Sequence, residues 1–156
     1  MKYILALLMM ANFAFANYII TYKGIELGEI KNFDSLEKNY LEADVTNMIA
    51  KLLLGRDKFV FFNEDFKEEK DKKNKKYKKD NYAIIYILKK AIANDVKAEK
   101  IEVKKDKFIE VSHDENFKFI YNSKGRIKSK GHLEMENGKL KALIETINDI
   151  EIIKKN

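Results

Sequence analysis

The three residue types of a hydrolytic triad stand side by side in this chain, as Ser112-His113-Asp114. A triad works only when the base reaches the nucleophile and the acid orients the base, so its members converge in space. Consecutive residues on a strand point alternately to opposite faces, and Ser112 lacks the Gly-x-Ser-x-Gly turn that would present its hydroxyl. The run therefore reads as a polar strand end. His113-x-Glu115 and His132-x-Glu134 are candidates of another kind. Residues two apart on a strand share a face, so His132 and Glu134 suit one cation, and an adjacent strand bearing His113 would complete a zinc or copper ligand set. Against that stand a predicted turn at Asp114 and Glu115, a predicted strand over 116–121 between the histidines, and the placing of His132 on a polar face. Carboxylate pairs such as Glu68 with Glu69 and Glu134 with Glu136 lie in charged stretches, without the desolvated acid that glycosidase chemistry needs. The six glycines are scattered, so no phosphate loop is present, and the absence of cysteine removes thiol chemistry and cysteine metal sites. The expectation is of no catalytic residues, no metal ligands and no cofactor. A metal-dependent or hydrolytic enzyme using His113 and His132 stands as the alternative.

Aromatic residues form the remaining constellation. Phe117, Phe119 and Tyr121 alternate onto one face of a strand and are the candidate ligand-binding residues. With Tyr18, Tyr22, Tyr40, Phe59, Phe61 and Phe62 they would line the concave side of a curved sheet, and a half-closed sheet with an aromatic interior holds a lipid or another apolar ligand. The competing expectation is that they pack against a buried helix and leave no cavity, because protein interiors fill.

The elements that must position these residues are mainly strands. Tyr18–Lys23 and Ile25–Ile30 are β-type segments broken at Gly24, and residues 39–46 alternate Leu41, Ala43 and Val45 against Glu42 and Asp44. Asn47 caps a short helix through Leu54, which Gly55 stops. Residues 57–62 are apolar on both faces and must be covered on both. Residues 64–80 hold two aromatics, Phe66 and Tyr77, among charges. They cannot bury enough apolar area to offset the entropy of ordering, which predicts a charged loop or solvent-extended hairpin arms. A basic arm for an anionic partner is the functional alternative for this Lys-rich loop. Next comes a helix over 81–93, capped by Asp80 or Asn81, with Lys89 and Lys90 in its later turns. Its Tyr82–Leu88 segment is apolar all round and therefore buried, covering the strand at 59–62. From residue 98 the pattern is a meander, with a hairpin break at 104–106, a turn at 122–125 and a type I′ signal at Asn137-Gly138. A strand from Leu140 and a last short one from Ile150 close it. The expected fold is mainly β (α+β): a curved antiparallel sheet or half-closed barrel with one principal buried helix.

The amino terminus carries an address. Lys2, the apolar run from Tyr3 to Ala11 and Ala14-Phe15-Ala16 make the three parts of a secretory signal peptide, with cleavage between Ala16 and Asn17. Residues 1–16 are then the signal and residues 17–156 a single β-rich domain. Lys or Glu interrupts every later apolar run before it reaches membrane-spanning length, so no stable span is expected after cleavage. A chain without cysteine cannot be acylated as a lipoprotein. Export without disulfide staples points to the periplasm. The net charge of +6 is carried almost wholly by lysine, with Arg56 and Arg126 the two arginines. Without clustered arginines to grip phosphate in pairs, and in an exported protein, a nucleic-acid partner is not expected.

Tyr22-Lys-Gly-Ile-Glu-Leu-Gly28 resembles the opening strand pair of exported proteins in domain-of-unknown-function family 3108. Asp80 and Tyr86-Ile-Leu88 are similar to that family's acidic residue and Tyr-x-Leu helix. The resemblance implies an envelope-associated β-rich protein and carries over no catalytic residue. The expected function is a periplasmic, non-enzymatic binding or envelope-assembly role, with an apolar ligand, a lipid or an envelope protein as partner.

Overall fold

The computed structural model describes residues 17–63, the backbone of 75–78, and residues 81–156. The expected cleavage residue Ala16, the preceding signal segment, and the charged run at 64–74 and 79–80 lie outside the described residues. The strands are β1 (Tyr18–Tyr22), β2 (Ile25–Ile30), β3 (Tyr40–Val45), β4 (Lys58–Phe62), β5 (Lys75–Lys78), β6 (Glu99–Lys104), β7 (Lys107–His113), β8 (Phe117–Ser123), β9 (Arg126–Glu136), β10 (Lys139–Glu145) and β11 (Ile150–Lys154). Helix α1 spans Met48–Leu54, helix α2 spans Tyr82–Ile92, and a 3-10 helix covers Asp34–Lys38.

The eleven strands of the described residues join one sheet in the order β5-β4-β3-β2-β1-β11-β10-β9-β8-β7-β6. Two meanders grow outward from the centre, where β1 pairs antiparallel with β11 from Tyr18↔Lys154 to Tyr22↔Ile150. Ten strands pair antiparallel, and β5 adds to β4 in parallel. Among the described residues the edge strands β5 and β6 do not pair with each other, so the sheet is open rather than closed into a barrel. The predicted curved antiparallel sheet with one principal buried helix is the observed architecture.

Turn chemistry explains much of this order. Asn137 and Gly138 both take positive φ (50° and 72°), the pair of left-handed conformations that a type I′ hairpin requires. Gly131 serves a different need: a Cβ there would stand 1.9 Å from the Ile144 carbonyl oxygen and 2.9 Å from the Phe119 ring. Glycine lets β10 and the Phe119 side chain approach that backbone closely.

One segment departs from expectation. Residues 75–78, read as part of a charged loop or of solvent-extended hairpin arms, form β5 parallel to β4 in the register Lys58↔Lys75 to Phe61↔Lys78. Backbone hydrogen bonding is indifferent to side-chain polarity, and an edge strand rich in lysine is one that further chains do not extend. Composition alone could not reveal a ladder made by the main chain.

The sheet curls around α2. Tyr82, Ala83, Ile84, Ile85, Ile87, Leu88 and Ala91 of that helix are buried, and they share one core with Leu41, Phe59 and Phe61 from one half of the sheet and Ile109, Phe119, Tyr121 and Leu143 from the other. The helix packs on β4, β8 and β10. Burial of 59–62 on both faces also follows expectation, since Val60 and Phe62 are buried as well as Phe59 and Phe61. The expected side-chain cap at Asn81 is absent; instead the Asn81 N–H donates to the Phe62 carbonyl at 3.2 Å, tying the helix start to the end of β4. At the other end Asn94 turns into the left-handed region and stops the helix.

Candidate interaction surface

The predicted aromatic face exists, and the helix fills it. Phe119 and Tyr121 are buried and Phe117 is half-buried, all on the concave side of β8. The Tyr121 ring lies 5.8 Å from the ring of Tyr82 on α2. The structure therefore brings the three residues together and sets them against protein. One polar atom in this contact is unsatisfied: the buried Tyr82 hydroxyl has no hydrogen-bond partner among the described residues.

Polar clasps hold α2 on both flanks. The Lys89 ammonium donates to Asn39 Oδ1 at 2.7 Å, beyond the 3-10 helix. On the other flank the Tyr86 hydroxyl donates to Glu99 Oε1 at 2.7 Å on edge strand β6, and Lys90 lies 2.8 Å from Asp95 and 3.6 Å from Glu99. Burial, followed by the Glu99 carboxylate, pushes the Tyr86 phenol up to about 12. The same bond holds Glu99 below its ordinary value, against a smaller opposing effect of burial.

The histidines do not converge. His113 sits at the end of β7, stacked on the Phe117 ring at 4.3 Å, and its register partner is Phe117 itself. His132 pairs with Lys118, and β8 separates β7 from β9. Strand alternation puts His113 on the concave side with Ile109 and Val111, whereas His132 lies on the outer side between buried Gly131 and Leu133. Opposite faces of one sheet cannot share a cation. Among the described residues no group of three or more His, Asp or Glu side chains is placed to hold a metal ion. Ser112 and His132 do line one outer groove of about 460 Å³. Lys118 stands between them in register, so they are two strand spacings apart, about 10 Å, too far for a base to take a hydroxyl proton. Asp114 is committed to Lys118 at 3.0 Å, and that ion pair holds its carboxyl low.

A buried acid, which the sequence did not reveal, is present at Glu145. Its Oε1 accepts from the N–H groups of Lys130 and Ile147, both at 3.1 Å, and its Oε2 from Asn148 N–H at 2.7 Å. All three donors belong to backbone at the β10–β11 turn or on β9, so the carboxylate organises the turn and is not offered to a substrate.

The feature without an internal explanation is α1. Asn47 Oδ1 caps it through Ile49 N–H at 2.8 Å and Ala50 N–H at 3.1 Å, and Gly55 ends it in the left-handed conformation. Between these caps Met48 is 84% exposed, Ile49 65%, Leu52 84% and Leu53 67%, while Ala50 is buried. Leu54 is half-buried against the core. The sequence announced the helix and both its caps. Its exposure could have been suspected from one sign: an apolar run over 48–54 broken only by Lys51, in a helix too short to bury all its sides. At the same rim lies the β1–β2 turn, because β2 begins where β3 ends (Gly28↔Val45), and Ile25 there is 40% exposed.

No helix among the described residues is long and apolar enough to cross a membrane. Compared with family models, curated proteins and solved structures, the chain gives no match.

Proposed function

We propose that this chain is an exported, periplasmic, non-enzymatic protein that works by binding, with the sheet and α2 as a rigid body and α1 as the element that meets the partner. The observation that carries this reading is the display of four large apolar side chains on a doubly capped helix, outside a core that is otherwise covered. Isolated exposed leucines are ordinary, but a contiguous apolar patch marks an interaction site. Export rests on Lys2, the apolar run and Ala14-Phe15-Ala16, as well as on the likeness of Tyr22–Gly28 to the opening strands of family 3108. The carrier form of the reading, with an apolar ligand or lipid on Phe117, Phe119 and Tyr121, requires α2 to leave the concave face. The enzyme alternative lacks converging groups at His113 and His132.

Two measurements test this. Mass spectrometry of the protein from its native envelope is expected to find Asn17 at the amino terminus, and intact Met1 there would refute export. Complementation of a host deletion by the His113→Ala/His132→Ala double variant is expected to match the wild type, because both side chains are at or near the surface. A folded double variant that fails to complement would overturn the non-enzymatic reading.

A further inference from the structure

From the arrangement of α1 we infer that it is a membrane-surface anchor, whose apolar side chains insert into the headgroup region of an anionic bilayer. This rests on the binding role proposed above and names the partner. At about 100° per residue, Ala50 and Leu54 point to the protein body, and Met48, Leu52, Ile49 and Leu53 sweep the opposite arc of about 140°. The helix is thus apolar on two opposed sides, with Lys51 on the edge between them. A helix apolar all round belongs in an apolar environment. The protein supplies one for Ala50 and Leu54 only.

Charge and shape select the bilayer over a protein groove. From Thr46 to Arg56 the chain carries two cations, Lys51 and Arg56, and no acidic residue. Lys51 is half exposed and reaches Asp57 at 3.0 Å, and Arg56 is exposed with its guanidinium on the Gly55 carbonyl. Both stems are long enough to lie along an apolar surface with the charge at phosphate level. The whole chain is also cationic at +6. The patch is a convex knob of flexible aliphatic side chains without an aromatic anchor, unlike the packed aromatic centres that dominate protein interfaces.

The chain contains no tryptophan, so Leu52→Trp places a single reporter on the knob. With vesicles of phosphatidylethanolamine and phosphatidylglycerol, its emission should shift to the blue and be quenched by bromines in the upper acyl chain. Both effects should grow with phosphatidylglycerol content and fade with salt. Reversing both cations, Lys51→Glu with Arg56→Glu, should weaken partitioning on the order of tenfold or more. Met48→Ser/Ile49→Ser/Leu53→Ser in the same background should abolish the shift while circular dichroism and melting temperature stay unchanged, since the replaced side chains are exposed. An emission that does not respond to vesicles overturns the inference. So does a shift that appears on raising protein concentration alone, which would make a second copy the occupant. The reporter reads α1 directly, whichever residue is the amino terminus, so failure here is distinct from failure of export or of the non-enzymatic reading.

Discussion

Replacing Ile85 asks whether α2 is core or lid. Ile85 is 2% exposed in the middle of the helix and belongs to the core shared by both halves of the sheet. Truncation to Ala removes a buried side chain and leaves a cavity, a change that costs about 2–5 kcal/mol. With a urea slope of about 1–3 kcal/mol per molar, the unfolding midpoint should fall by roughly one molar or more with the slope unchanged. Ile85→Asp adds an unpaired carboxylate in an apolar site, at a further cost of several kcal/mol. The sum approaches the whole stability of a domain of this size, about 5–15 kcal/mol. Ile85→Ala should therefore unfold cooperatively at lower urea, and Ile85→Asp should lose the sheet along with the helix, as read by far-ultraviolet circular dichroism. The reasoning fails if Ile85→Asp keeps the strand signal, unfolds at an ordinary midpoint, and shows rapid hydrogen exchange confined to residues 82–92. The helix would then swing out as a unit, and the face of Phe119 and Tyr121 would be a chamber open to an apolar ligand.

Glu145→Ala would strip the acceptor from three backbone donors and is expected to destabilise by roughly 2–5 kcal/mol, given about 1–3 kcal/mol for each buried group left unsatisfied and incomplete additivity; denaturant unfolding checks this, and a loss below about 1 kcal/mol would show that water replaces the carboxylate. Tyr86 supplies a pH test. Its folded value is raised to about 12 from 10.0, so its contribution is complete below pH 10 and is lost as pH climbs toward 12, where the unfolded state has already released the proton. Tyr86→Phe should be less stable than the wild type at neutral pH and should lose stability less steeply between pH 10 and 12; parallel slopes in that window would refute the Tyr86–Glu99 clasp.

The legible parts of the fold were those in which side chains decide the backbone. Alternation along 126–136 and the Asn137-Gly138 turn specify a strand, a face and a hairpin register, and β8, β9 and β10 follow them. Tyr82–Leu88 reads as buried because no polar side exists to turn outward, and six of its seven residues are buried. The parts that were not legible depend on main-chain pairing or on distant partners. Strand β5 is held by the backbone of β4, whatever its lysines prefer, and Glu145 is buried because donors on β9 and the following turn meet it there. The site shows the same division. That Phe117, Phe119 and Tyr121 share a face follows from period two alone, but whether the face is a chamber or a packed wall depends on where α2, separated from β8 by strands β6 and β7, comes to rest. For α1 the local signals were complete, from the Asn47 cap to the Gly55 stop, and they describe the helix as though it were alone. Only the sheet reveals that Ala50 and Leu54 alone find cover. The fold packs α2 into its concave face while α1, capped at both ends, leaves Met48, Ile49, Leu52 and Leu53 to the solvent; with Lys51 on that helix and Arg56 just beyond it, an anionic surface is the environment that accounts for both the apolar side chains and the cations.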